Sequence, residues 1–419
     1  MVERVITELL SRHCEGSGAL RPGQFGAGRK RSVVEAVGTL VSWVEESWER
    51  KEITGALCMD IAAAFPSVAR SCLIRRLRET HVDEDIVGWA GSFMQERKVC
   101  MVIDGREERE VEVGIGLPHG QGSSVSPILF IIYVSGVHQA GERTGSVRSL
   151  SFVDDITWIA HGRSVAEVRV KLEGAARRAI EWGHANGVRL ETAKAEAIFS
   201  SRNRRHWRER AEGHVMVESR PVPFNRGATR WLGIYLDSRL RFAEHASRSV
   251  RQARTAERRL QSIVTRHGVP PISARHLQEA IVGSTFMYGS EVTWRGQRGM
   301  ESSFQRSINR MARSLGVLPS TPVAFLQAEG GSLPAQARLQ KRQSAFAIRL
   351  ASAQEGSHRG IICGKTGLGK RLQESLGSGV KAREVEKVVP SGGRVFPGGV
   401  LVPEDIPKGG SRVTPQSIW

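Results

Sequence analysis

The chain has 419 residues, of which 40% are hydrophobic, so it is long enough for two or three domains with sizeable cores. Its formal net charge of +18 at pH 7 indicates a polyanionic partner such as nucleic acid. The five cysteines form no Cys-x-x-Cys pair, which argues against a zinc site and against a disulfide framework. Because we find neither a membrane-spanning apolar run nor a signal peptide, we expect an intracellular protein, nuclear or cytoplasmic, without a membrane partner.

The spacing of apolar residues predicts a mixed order of helices and short strands over residues 31–236. Gly187 fits the C-cap of the longest predicted helix, and Asp104-Gly105 fits the turn of a hairpin. The expected helices cover about 31–50, 67–80, 83–96, 125–139 and 164–186, and the expected strands about 53–59, 98–104, 109–115, 149–161, 195–200 and 229–236.

The later part of the sequence changes character. From 241 to about 354 the pattern is helical, with breaks at 268–271 and 318–322. From 355 to 419 the chain is rich in Gly and Pro and lacks periodicity, so we expect this tail to be mostly disordered. Two near matches to a phosphate-binding loop at 360–371 follow no predicted strand, and we attribute them to composition.

Three aspartates interrupt apolar runs that are predicted to be strands. Asp154 and Asp155 lie at the predicted turn of the 149–161 hairpin, and Asp60 ends the 53–59 run in the same way. A turn that faces water would explain the first pair on its own. A second acid in the same setting favours metal binding, because carboxylates in apolar surroundings are costly unless paired or bound to metal. The three acids predict a site for two divalent ions, Mg²⁺ or Mn²⁺, of the kind that catalyses phosphoryl transfer.

A loop of small residues at 116–127 lies between these acids and runs into an apolar segment. The order Asp-x-x-x-Ala-Phe, Gln-Gly-Ser-x-x-Ser-Pro-x-Leu-Phe, Phe-x-Asp-Asp resembles the palm of reverse transcriptases, in the form found in non-LTR (LINE-type) retrotransposons. Three further matches follow the same order: Gln24-Phe25-Gly26 with Arg29 and Ser32, then Lys194 after the long helix, then Trp231-Leu232-Gly233. The resemblance covers roughly residues 1–350.

The resemblance implies an α+β fold, the right-hand polymerase palm, in which helices pack on an antiparallel sheet. It divides the chain into partial fingers (1–50), the palm (51–240), a helical thumb or connection (241–354) and the Gly/Pro-rich tail (355–419). It also implies that the chain is a piece of a longer polyprotein, because we find no match to the upstream fingers segment, the endonuclease or an RNase H pattern.

The resemblance assigns roles to particular residues. In the family, the aromatic ring at the position of Phe65 lies beneath the incoming sugar and rejects a 2′-hydroxyl, although Phe65 could equally be a core residue. Two residues, His119 and Gly120, interrupt the family's small-residue loop before Gln121. The implied catalytic and metal-binding residues are Asp60, Asp154 and Asp155, the nucleotide-binding residues Ile61, Ala64, Phe65, Gln121, Gly122 and Lys194, the primer grip Trp231, Leu232 and Gly233, and a further nucleic-acid contact Arg29.

The positive charge is concentrated in one segment. Residues 201–260 contain fifteen arginines against six acidic residues. Within it, Arg204 and Arg205 precede His206 and Trp207, which favours contact with nucleic acid over a solvated helix face. The partners that the resemblance implies are an RNA template, a DNA primer and deoxynucleoside triphosphates.

Three functions stay open on the sequence alone. The first is an RNA-directed DNA polymerase that uses two metal ions. The second is a degenerate, catalytically inactive retrotransposon fragment that only binds nucleic acid. The third is a basic nucleic-acid-binding protein that uses the palm as a scaffold.

Overall fold

The computed structural model of the protein describes most of the chain up to residue 375. No helix in these described residues is long and apolar enough to cross a membrane. The described residues are 1–27, 31–95, 97–100, 102–107, 109–118, 123–203, 205–313, 320–322, 325, 333–351, 362 and 366–375.

Helices and strands alternate in the first half, and helices dominate after residue 241. A π-helical segment, Gln278–Gly283, joins α9 to α10. The helices are α1 Val2–Ser17, α2 Val33–Glu49, α3 Arg70–Glu79, α4 Glu84–Phe93, α5 Ser126–Glu142, α6 Val165–Asn186, α7 Arg205–Glu212, α8 Ala243–His267, α9 Pro271–Leu277, α10 Ser284–Met287, α11 Ser290–Thr293, α12 Arg298–Arg313, α13 Ala335–Ala351 and α14 Gly367–Glu374. The strands are β1 Gln24–Phe25, β2 Ile53–Ile61, β3 Arg97–Val99, β4 Val102–Ile103, β5 Arg106–Glu107, β6 Val111–Val113, β7 Val147–Phe152, β8 Asp155–Gly162, β9 Leu190–Ser200, β10 His214–Val217, β11 Arg220–Pro223, β12 Thr229–Trp231 and β13 Ile234–Leu236.

A five-stranded sheet in the order β1-β7-β8-β2-β9 forms the centre of the fold. Strand β2 pairs antiparallel with both β8 and β9, and β7 pairs antiparallel with β8. This confirms the expected α+β class with helices packed on a sheet. The sheet is not wholly antiparallel, however, because the short edge strand β1 runs parallel to β7.

Alternate residues of the central strands face two separate apolar clusters, as the period of two along a strand requires. On β2, Ile53, Leu57 and Met59 pack with helices α5 and α6 on one face, whereas Ala56 faces α2 on the other. Burial on both faces explains the nearly continuous apolar run that predicted this strand.

Helix α2 shows why the local sequence forms the expected helix. Its N-cap Ser32 accepts a hydrogen bond from the Glu35 backbone, and the Glu35 carboxylate accepts one from the Ser32 backbone, which completes a capping box. The longest predicted helix also ends as expected, with Gly187 at φ 70° in the left-handed region. The Asp104-Gly105 turn is confirmed too, with both residues at positive φ.

Several sequence-based boundaries need correction. The strand expected at 229–236 is a hairpin of β12 and β13, because Leu232 and Gly233 both adopt positive φ and reverse the chain. The pair expected at 98–104 and 109–115 is broken into β3–β6 and β4–β5, which form two separate two-stranded ladders. Helix α1, helix α7 and the β10–β11 hairpin had no sequence-based expectation.

The tail from residue 355 was expected to be mostly disordered, and among its described residues 367–374 form the ordered helix α14. Leu368 and Leu372 of α14 are buried in the cluster that includes α2. The buried Glu45 of α2 accepts a hydrogen bond from the Leu368 backbone and forms ion pairs with Arg295 at 3.0 Å and Arg371 at 3.5 Å. A carboxylate from the chain itself therefore occupies the helix start at one of the near matches to a phosphate loop. Apart from Ile362, Thr366 and Ser375, the rest of the tail lies outside the described residues.

The close packing of α6 on β2 predicts a stability effect at Gly55. A Cβ atom there would collide with Val168 and lie 3.1 Å from the Leu172 side chain, so Gly55→Ala must displace the helix. We expect a loss of about 1–3 kcal/mol in the free energy of unfolding, measured with urea.

Gly88→Ala is the matched control, because a Cβ at Gly88 in α4 meets nothing within 4 Å. An exposed helical Gly→Ala change stabilises by about 0.5–1 kcal/mol. Equal effects of the two substitutions would contradict the packing argument.

Candidate active site

Two strand ends bring the three predicted acids to one edge of the central sheet. Asp60 of β2 is the antiparallel partner of Asp155 of β8, so the two side chains leave the same face of the sheet. The Ile61 N–H donates a hydrogen bond to the Asp154 carbonyl over 3.2 Å, which ties the hairpin turn to the end of β2. The pairing of β2 with β8 thus brings the acids of both predicted strand ends to the same end of the sheet.

The turn that carries Asp154 is strained. Val153 adopts φ 58°, a conformation that is rare for a β-branched residue and costs on the order of 1–3 kcal/mol. Such strain persists only where the surrounding structure holds it in place.

The Gln24-Phe25-Gly26 segment provides that support. The Val153 N–H donates to the Phe25 carbonyl over 3.2 Å, and a Cβ at Gly26 would lie 2.6 Å from the Val153 side chain. Gly26 has φ 113°, so only glycine fits both the backbone and the space. The buried Gln24 side chain donates to the Ile131 carbonyl of α5 and so fixes the segment to the helix behind it. The motif therefore supports the acid hairpin.

Asp155 and Asp60 both have raised pKa values. Burial, followed by the charges of Asp154 and Asp60, raises the pKa of Asp155 to about 6. Burial and then the charge of Asp154 also raise the pKa of Asp60, while Lys194 acts in the opposite direction. Bringing these carboxylates together is therefore unfavourable unless positive charge compensates them.

The same edge does not form a closed metal cage by itself. Within the ranges that the structure describes, no group of three or more His, Cys, Asp and Glu side chains is gathered closely enough to hold a metal ion. The metal site expected from the sequence therefore stays a prediction.

Lys194 reaches this edge through an irregularity in β9. The pairing of β2 with β9 shifts between Cys58, which faces Glu196, and Asp60, which faces Glu191. The extra residues of β9 form a bulge that contains the exposed Lys194, and its charge acts on Asp60. The sequence placed Lys194 after the long helix, and the bulge explains how it comes near the acids.

The predicted nucleotide-binding residues just after Asp60 differ in burial. Phe65 is half-buried, with its ring centroid 5.0 Å from that of Phe130, and its carbonyl accepts a hydrogen bond from the Leu117 N–H over 2.8 Å. Ile61 and Ala64, also predicted to bind nucleotide, are both buried in the core. Of these three, Phe65 is the one whose side chain is open to a ligand.

The predicted primer grip is a tight hairpin turn. Trp231 pairs with Ile234, and Leu232 and Gly233 form the turn with φ 48° and 79°. Trp231 is buried in the same apolar cluster as Phe25 of β1.

Tyr288, a residue that sequence reasoning missed, supports this turn. Its hydroxyl donates to the Leu232 carbonyl over 2.8 Å, and a Cβ at Gly233 would lie 3.1 Å from its ring. The two positions are 56 residues apart, and no spacing in the sequence signals the contact.

Some predicted site residues are not located. Arg29, Gln121, Gly122 and Arg204 lie outside the described residues. Arg205 is exposed on α7 and forms an ion pair with Glu209 at 3.5 Å.

Comparison with known proteins identifies the family of the chain. The sequence model of the family described as "Reverse transcriptase (RNA-dependent DNA polymerase)" matches residues 1–236, and the chain belongs to this family. The resemblance inferred from the motif order is thereby confirmed.

Two curated proteins from Drosophila melanogaster are similar to this chain. The chain is 26% identical over 246 residues to the probable RNA-directed DNA polymerase from transposon X-element, which covers 58% of this chain and 26% of that protein. It is 22% identical over 300 residues to the RNA-directed DNA polymerase from mobile element jockey, which covers 70% of this chain and 31% of that protein. The chain thus spans about a quarter to a third of the length of these curated relatives.

Among solved structures, apo telomerase from Candida tropicalis is similar with a TM-score of 0.41 and 10% identity, covering 86% of this chain and 60% of that one. This likeness is too distant to support a conclusion about the fold.

The raised pKa of Asp155 predicts that Asp155→Asn stabilises the metal-free protein. A carboxyl with a pKa of about 6 in the folded state and 3.8 as its ordinary value binds its proton more tightly when folded. Its contribution to stability is therefore present below about pH 4 and is lost as the pH rises through 6. At about pH 8 in EDTA we expect the variant to gain on the order of 2 kcal/mol in the free energy of unfolding.

The gain should shrink as the pH falls to about 4, because the parent carboxyl is then protonated. Asp104→Asn, at the exposed β4–β5 turn, is the matched control and should show no such pH-dependent gain. A pH-independent effect of Asp155→Asn would contradict the repulsion argument.

Proposed function

We propose that this chain is an RNA-directed DNA polymerase, which extends a DNA primer on an RNA template with deoxynucleoside triphosphates. The observation that carries the proposal is the register of β2 and β8, which brings Asp60, Asp154 and Asp155 to one sheet edge in a reverse transcriptase chain. Nucleotidyl transfer needs positioning and charge neutralisation more than covalent chemistry, and carboxylates that hold metal ions provide both.

The donor set fits Mg²⁺ or Mn²⁺. Carboxylate oxygens are the ligands that hard divalent cations prefer. Burial, followed by neighbouring carboxylates, raises the pKa of both Asp60 and Asp155. Asp60 and Asp154 would hold both ions, with Asp155 as the weaker ligand. When bound, the metal ions would activate the primer 3′-hydroxyl and neutralise charge on the leaving pyrophosphate.

The other predicted site residues would position the nucleotide and the primer. Phe65 presents a half-exposed ring five residues after Asp60, where it would contact the sugar of the incoming nucleotide. Lys194 would neutralise the leaving pyrophosphate from the bulge beside Asp60. The turn at Leu232 and Gly233, which Tyr288 supports, would hold the primer end.

The alternative is an inactive fragment that only binds nucleic acid. It would retain the basic segment and the fold, and it would lack primer extension under all metal conditions. The following experiments separate the two.

Asp154→Ala should abolish primer extension on an RNA template while leaving primer–template affinity within about twofold of the parent. The carboxylate would hold metal, whereas the strands are held by arginines elsewhere. The measurements are gel-resolved extension with Mg²⁺ or Mn²⁺ and equilibrium binding of the same labelled duplex.

Asp85→Asn, an exposed acid in the first turn of α4, is the control and should extend normally. Extension by Asp154→Ala at the parent rate would overturn the site assignment. No extension by the parent chain would favour the inactive alternative.

Phe65→Ala should admit ribonucleotides, because removing the ring opens space at the 2′ position of the sugar. We expect the ratio of kcat/KM for dGTP over GTP to fall by about tenfold or more. The control is Phe93→Ala, which removes a ring that stacks on Trp89 of α4. An unchanged ratio in the Phe65 variant would assign Phe65 to the core alone.

A further inference from the structure

The described residues also form a strongly basic cleft, whose lining includes none of the three acids. It is a cleft of about 1060 Å³ between α7, the loop before β12, the segment after β13 and the start of α8. Its walls carry arginines from all four segments. These are Arg208, Arg226, Arg239, Arg241 and Arg248.

The acidic residues of the cleft are already engaged. Asp237 accepts hydrogen bonds from the backbone N–H groups of Arg239 and Arg241 over 3.0 Å each. Glu244 forms an ion pair with Arg248 at 2.7 Å. Both carboxylates therefore stabilise the chain itself and leave the cleft with a positive excess.

Three exposed arginines of the cleft have no such compensation. Among the residues that the structure describes, no carboxylate forms an ion pair with Arg208, Arg226 or Arg241. Like charges that converge on a concave surface repel one another, and their field attracts an anion.

Trp207, an aromatic residue in the lining of the cleft, contacts two arginines through its ring. The guanidinium of Arg239 lies 4.6 Å from the Trp207 ring centroid, and that of Arg210 lies 5.2 Å from it. The indole N–H donates to the Ser201 carbonyl over 3.2 Å. Trp207 is thus held by arginines, which favours contacts to phosphate over stacking of bases.

We propose that this arginine cleft binds the phosphodiester backbone of a single strand of nucleic acid, independently of base sequence and of polymerisation. Arginine forks match phosphate oxygens, and they approach from facing walls. The cleft volume of about 1060 Å³ is close to that of a small-ligand pocket, so we assign the cleft one strand rather than a duplex. The lining offers no large exposed apolar side chain, which disfavours a lipid bilayer as partner.

The cleft continues toward the primer-grip turn. Arg248 also lines a cavity of about 270 Å³ together with Gly233 and Tyr288. A strand in the arginine cleft would thus lie at the base of the β12–β13 hairpin, whose opposite end forms the turn. The cleft and the acids are separate sites, and binding at the cleft needs neither metal nor nucleotide.

The test is equilibrium binding of labelled single strands to the full chain in EDTA without nucleotides, by fluorescence anisotropy. The probes are oligouridylate and oligothymidylate of about twenty nucleotides, which is longer than one strand-binding site. The double variant Arg208→Gln/Arg241→Gln removes two exposed charges without touching a described ion pair. We expect the variant to bind both probes at least about tenfold more weakly than the parent at low salt. The slope of log affinity against log salt should become shallower by about 1.4, because each lost phosphate contact on a single strand contributes about 0.7.

The control is Arg143→Gln/Arg177→Gln, which removes the same charge from exposed positions on the side of the palm that carries α5 and α6. It should leave the affinity within twofold of the parent and the slope of log affinity against log salt unchanged. Equal weakening by the two variants would show that net charge alone explains the effect and would overturn the proposal. No weakening by the cleft variant would overturn it too. Vesicles of anionic phosphatidylserine that bind with the same arginine dependence, while the oligonucleotides do not, would also overturn it. Because these measurements need no metal, a chain that fails to polymerise can still pass them.

Discussion

The pairing of β2 with β8 is the constraint on which the candidate site depends. Asp60 and Asp155 are direct partners in this ladder, and the strands are buried on both faces for most of their length. A shift of one residue would turn the apolar side chains of one strand to the wrong cluster and separate the acids. The hydrophobic pattern that stabilises the sheet is therefore the same pattern that positions the carboxylates.

The end of that sheet where the acids lie is energetically less favourable than its apolar middle. Asp60 and Asp155 are paired across the ladder next to Asp154, Val153 is in a strained conformation, and Asp155 has a raised pKa. Neighbouring residues stabilise the strained turn, because the Phe25 carbonyl accepts its hydrogen bond and Gly26 leaves space for the Val153 side chain. Local unfavourable geometry supported by a rigid surrounding is typical of sites that bind charged ligands.

Much of the palm region follows from the sequence, because buried strands and amphipathic helices leave apolar runs with a characteristic period. That is why α2, α6, β2 and the acid hairpin lie close to their expected bounds. Three features had no such signal. The turn at Leu232 depends on two positive φ values, the contact of Tyr288 joins distant positions, and α14 has only two buried leucines within a Gly-rich stretch. Ile61 and Ala64 match the family motif, and yet their side chains belong to the core.

The buried Glu45 has a consequence for synthesis of the chain. Its carboxylate binds Arg295, which follows 250 residues later, and the backbone of Leu368, which follows 323 residues later. A buried carboxylate without partners is strongly unfavourable, so α2 cannot settle fully against the sheet while those partners are still unmade. On the ribosome, the final docking of this early helix must therefore wait until nearly the whole described chain has emerged.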